Sequence, residues 1–263
     1  MNKRLISVGV ALILVLGLGA GIYFFLRSPQ PAEVNLEDIR PLLDAEQYEE
    51  AREQLKQFVE TNPQHAEAHF LLGLAHFNLE EYGPAEEAFR RSLELDVDRA
   101  AAVHHNLGAL AYQTGEIETA IEEFQAALEI DPDDSDSHYQ LGAAYLVKAL
   151  PSDASSPPDA ASLQKAEAQF EQALELKPNK PEALVGLSNV YMLQNRLDEA
   201  ISLLETALEQ NPQMREALFA LGRAYAASGQ IEKAKETLQR FLETDPPEVW
   251  AQQAEGLLKQ LGE

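Results

Sequence analysis

The chain has 263 residues, a formal net charge of −24 and no cysteine. Its hydrophobic content of 45% is that of a folded protein and excludes a disordered chain. The excess of acidic residues argues against nucleic acid as a partner, because binding to phosphates needs clustered lysine and arginine. The lack of cysteine excludes disulfides, thiolate nucleophiles and cysteine-ligated metal sites.

The N-terminal residues contain a long apolar segment that predicts one transmembrane helix. Residues 5–26 include a single polar side chain, Ser7. At about 1.5 Å per residue, a helix of that length spans the ~30 Å hydrocarbon core of a bilayer. A cleaved signal peptide is the competing interpretation. Its apolar core is usually shorter, at about 7–15 residues, and no small-residue cleavage site follows this segment.

The charges beside this segment predict its orientation. Lys3 and Arg4 precede it, only Arg27 follows directly, and the chain then becomes acidic. The positive-inside rule therefore places the N-terminus in the cytoplasm and the rest of the chain on the extracytoplasmic, periplasmic side. We assign residues 1–27 to a signal anchor and residues 28–34, SPQPAEV, to a short stiff linker.

The rest of the chain repeats itself at intervals of about 34 residues. A small residue recurs at Gly73, Gly108, Gly142, Ser188 and Gly222. An alanine series follows it at Ala85, Ala120, Ala200 and Ala234, and a proline series at Pro132, Pro212 and Pro246. Each interval contains two stretches of helical apolar periodicity, which predict two antiparallel helices that approach closely at the small residues. Proline follows the second helix and ends it.

This pattern resembles the tetratricopeptide repeat family, in its membrane-anchored bacterial type. Besides the small residues, the resemblance rests on aromatic series at Tyr145, Tyr191 and Tyr225 and at Phe89, Phe124 and Phe170. It implies an all-α, right-handed solenoid of stacked helix pairs over residues 35–263. The units lie near residues 32–65, 66–99, 100–134, 135–180, 181–214 and 215–248, with a capping helix at 249–263. A loop rich in proline, serine and aspartate is inserted in the fourth unit at residues 149–161.

The adjacent histidines His104 and His105 are candidates for metal or acid–base chemistry. However, His104 occupies the same repeat position as His69 and His138, and equivalent positions on stacked helices are about 10 Å apart, too far to share one metal. His105 projects roughly 100° away from His104, and the repeat register places no serine, cysteine or carboxylate beside either ring. We therefore predict no metal site, no cofactor and no enzymatic activity.

In the family that this chain resembles, a stripe on the first helix of each unit lines a concave groove that binds peptides. Here that stripe contains Phe70, Leu74, Phe77, His105, Tyr112, Tyr139, Leu146, Val185, Asn189, Met192, Phe219 and Arg223. At its edge lies an acidic rim of Glu67, Asp136, Glu182 and Glu216. An apolar floor with an acidic rim predicts a cationic, amphipathic protein segment as ligand. The alternative is that the stripe only packs one unit on the next.

These features predict a membrane-anchored scaffold or assembly factor that binds partner polypeptides in its groove. Two alternatives stay open. The array could be a self-associating structural module that forms a homo-oligomer, or it could be the regulatory subunit of a membrane enzyme complex. The analogy at the level of the fold does not choose between them.

Overall fold

The computed structural model describes residues 35–151 and 156–262. These residues form thirteen α-helices and one short 3₁₀ turn at Val97–Arg99, with no β-strand among them. The helices are α1 (Leu36–Asp44), α2 (Tyr48–Thr61), α3 (Ala66–Asn78), α4 (Tyr82–Leu95), α5 (Ala100–Gln113), α6 (Ile117–Ile130), α7 (Ser135–Ala149), α8 (Ala160–Leu176), α9 (Pro181–Leu193), α10 (Leu197–Gln210), α11 (Arg215–Ala227), α12 (Ile231–Leu242) and α13 (Glu248–Gln260).

The predicted anchor at residues 5–26 and the linker at residues 28–34 lie outside the described residues. Within the described ranges, the helices are each too short or too polar to cross a bilayer. The inserted segment of the fourth unit connects the end of α7 at Ala149 with the start of α8 at Ala160. Part of it, residues 152–155, also lies outside the described residues.

The helices form two layers. Consecutive helices pack as six pairs, from α1–α2 to α11–α12, and α13 packs on α12. From α3 to α11, each odd-numbered helix also contacts the next odd-numbered helix, whereas the even-numbered helices of the described chain make no comparable contact with each other. The odd-numbered helices therefore line the inner face of a curved array. The predicted all-α repeat solenoid is confirmed.

A glycine of the first helix lies against a buried phenylalanine of the second helix in three successive units. The pairs are Gly73–Phe89, Gly108–Phe124 and Gly142–Phe170, and a Cβ added to these glycines would lie 2.5, 2.7 and 2.9 Å from the ring. The three rings are at most 1% exposed, so the close-packed core around them leaves little room for a shift. The small residue of the repeat therefore sets the distance between the paired helices.

Several histidines tie turns to helices. His76 is buried and hydrogen-bonds Glu81 in the turn that leads into α4. The Nε2–H of His69 donates to the Pro63 carbonyl at 3.1 Å, and the Nε2–H of His138 donates to the Pro132 carbonyl at 2.9 Å. In residues 35–151 and 156–262, no three His, Asp or Glu side chains converge to hold a metal ion.

The expectation that His104 and His105 have no hydroxyl or carboxylate beside them is wrong. The Nδ1 of His104 lies 2.7 Å from a Glu123 carboxylate oxygen, and the Nδ1 of His105 lies 2.7 Å from the Ser137 hydroxyl. These partners belong to α6 and α7, so the spacing along α5 could not reveal them. The Ser137 hydroxyl is fully buried and donates to Asp134 at 2.5 Å. It joins the third unit to the fourth and is not accessible to a substrate.

We expect Gly108→Ala to lower the free energy of unfolding. Alanine gains about 1 kcal/mol of helix propensity over glycine. Overpacking against the Phe124 ring costs about 1–3 kcal/mol, and this cost prevails because the ring is fully buried. Urea unfolding followed by far-UV circular dichroism measures the net change.

The matched control is Gly256→Ala in α13. A Cβ at Gly256 would have no neighbour within 4 Å, and the residue is helical. This substitution should therefore raise the stability of the array by up to about 1 kcal/mol. Equal effects of the two substitutions would contradict the role assigned to the glycine–phenylalanine contact.

The free energy of unfolding should fall as the pH is lowered from 7 towards 5, in part because of His105. Burial lowers the pKa of His105 below its ordinary value, although Asp134 and Asp136 act in the opposite direction. The His105 side chain therefore binds a proton more readily in the unfolded chain, where its pKa is about 6.5, than in the folded chain. Stability is lost as the pH falls from about 6.5 through the lower pKa of the folded state. Comparison of the native protein with His105→Gln at several pH values isolates this contribution. A difference in stability that stays constant with pH would refute the assignment.

Candidate functional site

The inner face of the fourth to sixth units contains a continuous groove, which we call the inner groove. Its central cavity, of about 420 Å³, is bounded by side chains of α7, α9, α11 and α13. A cavity of about 670 Å³ adjoins it at the N-terminal ends of α9 and α11 and shares Tyr139, Glu182, Val185 and Glu216. A cavity of about 760 Å³ adjoins the other end and shares Leu146, Asn189 and Arg223. The groove therefore runs along the axes of α9 and α11.

Most predicted groove residues of the third to sixth units line these cavities. They are Tyr112, Tyr139, Leu146, Val185, Asn189, Met192, Phe219 and Arg223. Val185 is buried, Arg223 is exposed and the others are half-buried. They come together because the stripe positions of successive odd-numbered helices face the same side of the array.

The predicted residues of the second unit and His105 do not belong to the inner groove. Phe70 and Leu74 pack against the buried side chains of the first three units. Phe77 makes an edge contact with Tyr82 in α4. His105 borders a separate cavity beside the acidic turn that precedes α7. In the second unit, the stripe therefore holds units together.

Two of the four predicted rim carboxylates are paired with cations of the array itself. The ion pairs are Glu67 with Arg40 and Arg99, and Asp136 with Lys177 and Lys180. The two lysine nitrogens lie 3.0 and 2.6 Å from the Asp136 oxygens. The hydrogen bond from Lys180 is the largest of the contacts that hold the pKa of Asp136 below its ordinary value. Neither carboxylate presents an uncompensated charge to a ligand.

Glu182 and Glu216 differ from these two. Both are exposed, both lie in the first turn of their helix, and neither has an ion-pair partner among the described residues. Burial raises the pKa of the Tyr139 hydroxyl, and the charges of Glu182 and Glu216 raise it further. The two carboxylates therefore create a negative potential at the Tyr139 end of the inner groove.

The opposite charge lies farther along the same groove. Arg223 is exposed, and no carboxylate of the described chain pairs with it. Its guanidinium carbon lies 5.8 Å from the centroid of the Phe219 ring, at the limit for a cation–π contact. Arg223 follows Glu216 by two helical turns on the same face of α11, a separation of about 10 Å along the axis.

One wall of the groove was not among the residues predicted from the sequence. Trp250 and Gln253 of α13 line the central cavity, and Leu257 lines the next one. The Trp250 ring stacks on Phe219 with centroids 5.7 Å apart and an interplanar angle of 28°. The repeat register could have found them, because Trp250 precedes Gly256 by six residues, as each rim residue precedes its small residue.

Sequence profiles of one repeat family match most of the described chain. Profiles described as tetratricopeptide repeat match residues 40–100, 159–213 and 192–261, and one described as TPR repeat matches residues 110–147. No curated protein matches the chain significantly.

Solved structures with the same fold include proteins of different length and different function. A chain of the APC/C hetero-tetramer Cut9–Hcn1 is 21% identical, with a TM-score of 0.71 over 84% of this chain. This chain covers only 41% of the length of that chain. PilW, a type IV pilus biogenesis factor, is 18% identical with a TM-score of 0.70 over 82% of this chain and 94% of its own. YrrB, a TPR protein with an unusual peptide-binding site, is 25% identical with a TM-score of 0.56 over 77% of this chain and 97% of its own.

Proteins of this family generally mediate protein–protein interaction and assembly. Three observations indicate the same repeat family: the register of small residues, the paired helices of the solenoid and the profile matches. The chain belongs to the tetratricopeptide repeat family.

Proposed function

We propose that this protein is a membrane-anchored scaffold or assembly factor that binds a partner polypeptide in the inner groove. The observation that carries the proposal is the groove itself, whose three contiguous cavities lie between half-buried aromatic and aliphatic side chains. Concave surfaces of this kind are what helical solenoids offer to extended or helical ligands. Side chains that only packed units together would leave no continuous channel along α9 and α11.

The similar structures support a role of this kind. YrrB is a TPR protein with a peptide-binding site, and PilW is a factor in the biogenesis of a pilus. Binding of a peptide segment and assistance in assembly at the cell envelope are therefore the activities that we propose for this chain. Those proteins share only the fold with this chain, so the specific support for peptide binding comes from the inner groove.

The unpaired carboxylates favour a partner with cationic, amphipathic character. Glu182 and Glu216 face a half-buried tyrosine, and a lysine or arginine of a ligand would find two carboxylates and an aromatic surface there. The half-buried Leu146, Met192 and Phe219 offer contacts to its apolar side chains.

We further propose that residues 1–27 anchor the array to a membrane and that the solenoid lies on the extracytoplasmic side. The apolar residues 5–26 and the basic residues that precede them support this arrangement. Anchorage would hold the groove close to the bilayer surface, where partners arrive by lateral diffusion.

Photocrosslinking in intact membranes tests the partner proposal. A photoreactive residue at Tyr139 should capture one defined protein, because Tyr139 lines two of the three cavities. The same residue at the exposed Glu122 of α6, remote from the groove, is the control and should capture none. Capture of this chain alone at Tyr139 would support the self-associating module instead. Equal capture at both positions would contradict binding in the groove.

A membrane extraction tests the anchor. The full-length chain should remain in the membrane fraction after an alkaline carbonate wash, and a chain that lacks residues 1–27 should be released. The physical reason is the transfer of about 20 apolar residues into hydrocarbon, which a high pH does not reverse. Release of both proteins would overturn the assignment of the anchor.

A further inference from the structure

We propose that the inner groove recognises the order of charges along its ligand. The ligand that fits is an amphipathic helix of about three turns from a partner protein. It carries a lysine or arginine at the Tyr139 end, an aspartate or glutamate about two turns later, and apolar side chains beyond that. This inference rests on the proposed function and specifies the chemistry of the partner.

The first zone of the groove is acidic. Glu182 and Glu216 border both the cavity at the N-terminal ends of α9 and α11 and the central cavity. One cation already contacts the tyrosine of this zone, since the Lys180 ammonium lies 5.2 Å from the Tyr139 ring centroid. That lysine is paired with Asp136 and forms no ion pair with either glutamate. Arg215 also lines this cavity, but its guanidinium donates to the Thr244 carbonyl and forms no ion pair with either glutamate. Two carboxylates therefore outweigh one guanidinium, and the zone retains a net negative charge.

The second zone is basic. Arg223 borders the central cavity and the third cavity, beside Asn189 of α9. The guanidinium has five donors with fixed geometry, which suit a carboxylate. Since Glu216 and Arg223 are about 10 Å apart on one face of α11, a ligand helix parallel to α11 would match them with opposite charges at positions i and i+7.

The third zone is apolar. Its cavity of about 760 Å³ is bounded by apolar side chains from five helices and from the turn after α7. The apolar lining includes Leu146, Leu150, Met192, Leu193, Leu257 and Leu261. Leu150 and Leu193 are 50% and 40% exposed, so part of this apolar lining faces water. Apolar side chains of a ligand would remove this surface from water.

A helical ligand fits this arrangement better than an extended one. The zones follow the axes of α9 and α11 from residue 182 to residue 193, about 17 Å, which equals about three turns of helix. An extended segment would direct alternate side chains away from the groove, and it gains most from a strand edge that completes its hydrogen bonds. The walls of this groove are helices, whose backbone groups are already bonded.

The test uses two synthetic helical peptides of identical composition and the purified full-length protein. In the first peptide, a lysine precedes a glutamate by seven residues, and leucines follow one turn later. In the second peptide, the lysine and the glutamate are exchanged. Each peptide is also made in reverse sequence, because the charges do not fix the direction of the chain. Trp250 is the only tryptophan of the protein and lines the groove, so its fluorescence reports binding directly.

We expect the first peptide, in one of its two directions, to bind about 10-fold more tightly than the corresponding second peptide. An exposed ion pair changes the affinity by only about two-fold, so three reversed contacts together correspond to about this ratio. The preference should shrink in 0.5 M salt, at which the screening length is only about 4 Å.

A charge exchange on the protein provides the matched comparison. The double variant Glu216→Arg, Arg223→Glu keeps the net charge and alters two exposed side chains, and it should prefer the second peptide. The control is Glu86→Arg, Arg90→Glu on α4, where the ion pair at 2.9 Å lies outside the inner groove. This control should retain the preference for the first peptide.

Equal affinity for both peptides, a response to neither, or a preference that the groove variant does not reverse would each overturn the inference. Capture of a partner at Tyr139 alongside any of these results would leave the proposed function in place. Absence of capture alongside a clear, reversible preference would show a charge-selective groove and count against the proposed scaffold role.

Discussion

The contact of a glycine backbone with a buried phenylalanine ring determines how close the two helices of a unit lie, and the rest of the array follows from that distance. Where the ring is replaced by leucine, as at Leu238 in the sixth unit, the approach is equally close, because a Cβ on Gly222 would lie 2.6 Å from that side chain. The ring of Phe170 is enclosed from two units, by Gly142 and by Gly186 of the following helix. One contact thus fixes the geometry within a unit and the stacking between units.

Charged residues of the array fall into two groups with different roles. Glu67 and Asp136 are compensated by basic residues of other helices and bind neighbouring units together. The inner groove, in contrast, contains carboxylates and a guanidinium that no residue of the described chain compensates. Charges without an ion-pair partner in the described chain, next to half-buried aromatic rings, distinguish the proposed binding surface from the surfaces that pack units together.

The fold could be predicted from the sequence because its signals are periodic: the same small, aromatic and proline residues return in register. The part of the site on α7, α9 and α11 followed from that register. The pairing of Asp136 with Lys177 and Lys180 could not, because the partners are 41 and 44 residues away and the insertion of the fourth unit lies between them. The bonds of His104 and His105 could not be predicted either, because their partners on other helices are 19 and 32 residues away. Trp250 could have been predicted, because the repeat register extended to α13 assigns it to the rim.

Helix α13 forms part of the groove wall although it has few packing neighbours in the described chain. This helix packs on α12, and no further helix of the described chain covers its other side, yet Trp250 and Leu257 form part of the groove wall. A helix with few packing neighbours unfolds locally more readily than the helices of the core. The proposed ligand, which would bridge α9, α11 and α13, would add contacts to α13 and suppress this local unfolding by mass action. The affinity of the groove for its proposed ligand is therefore coupled to the local unfolding of α13, and a change that destabilises this helix should also weaken binding.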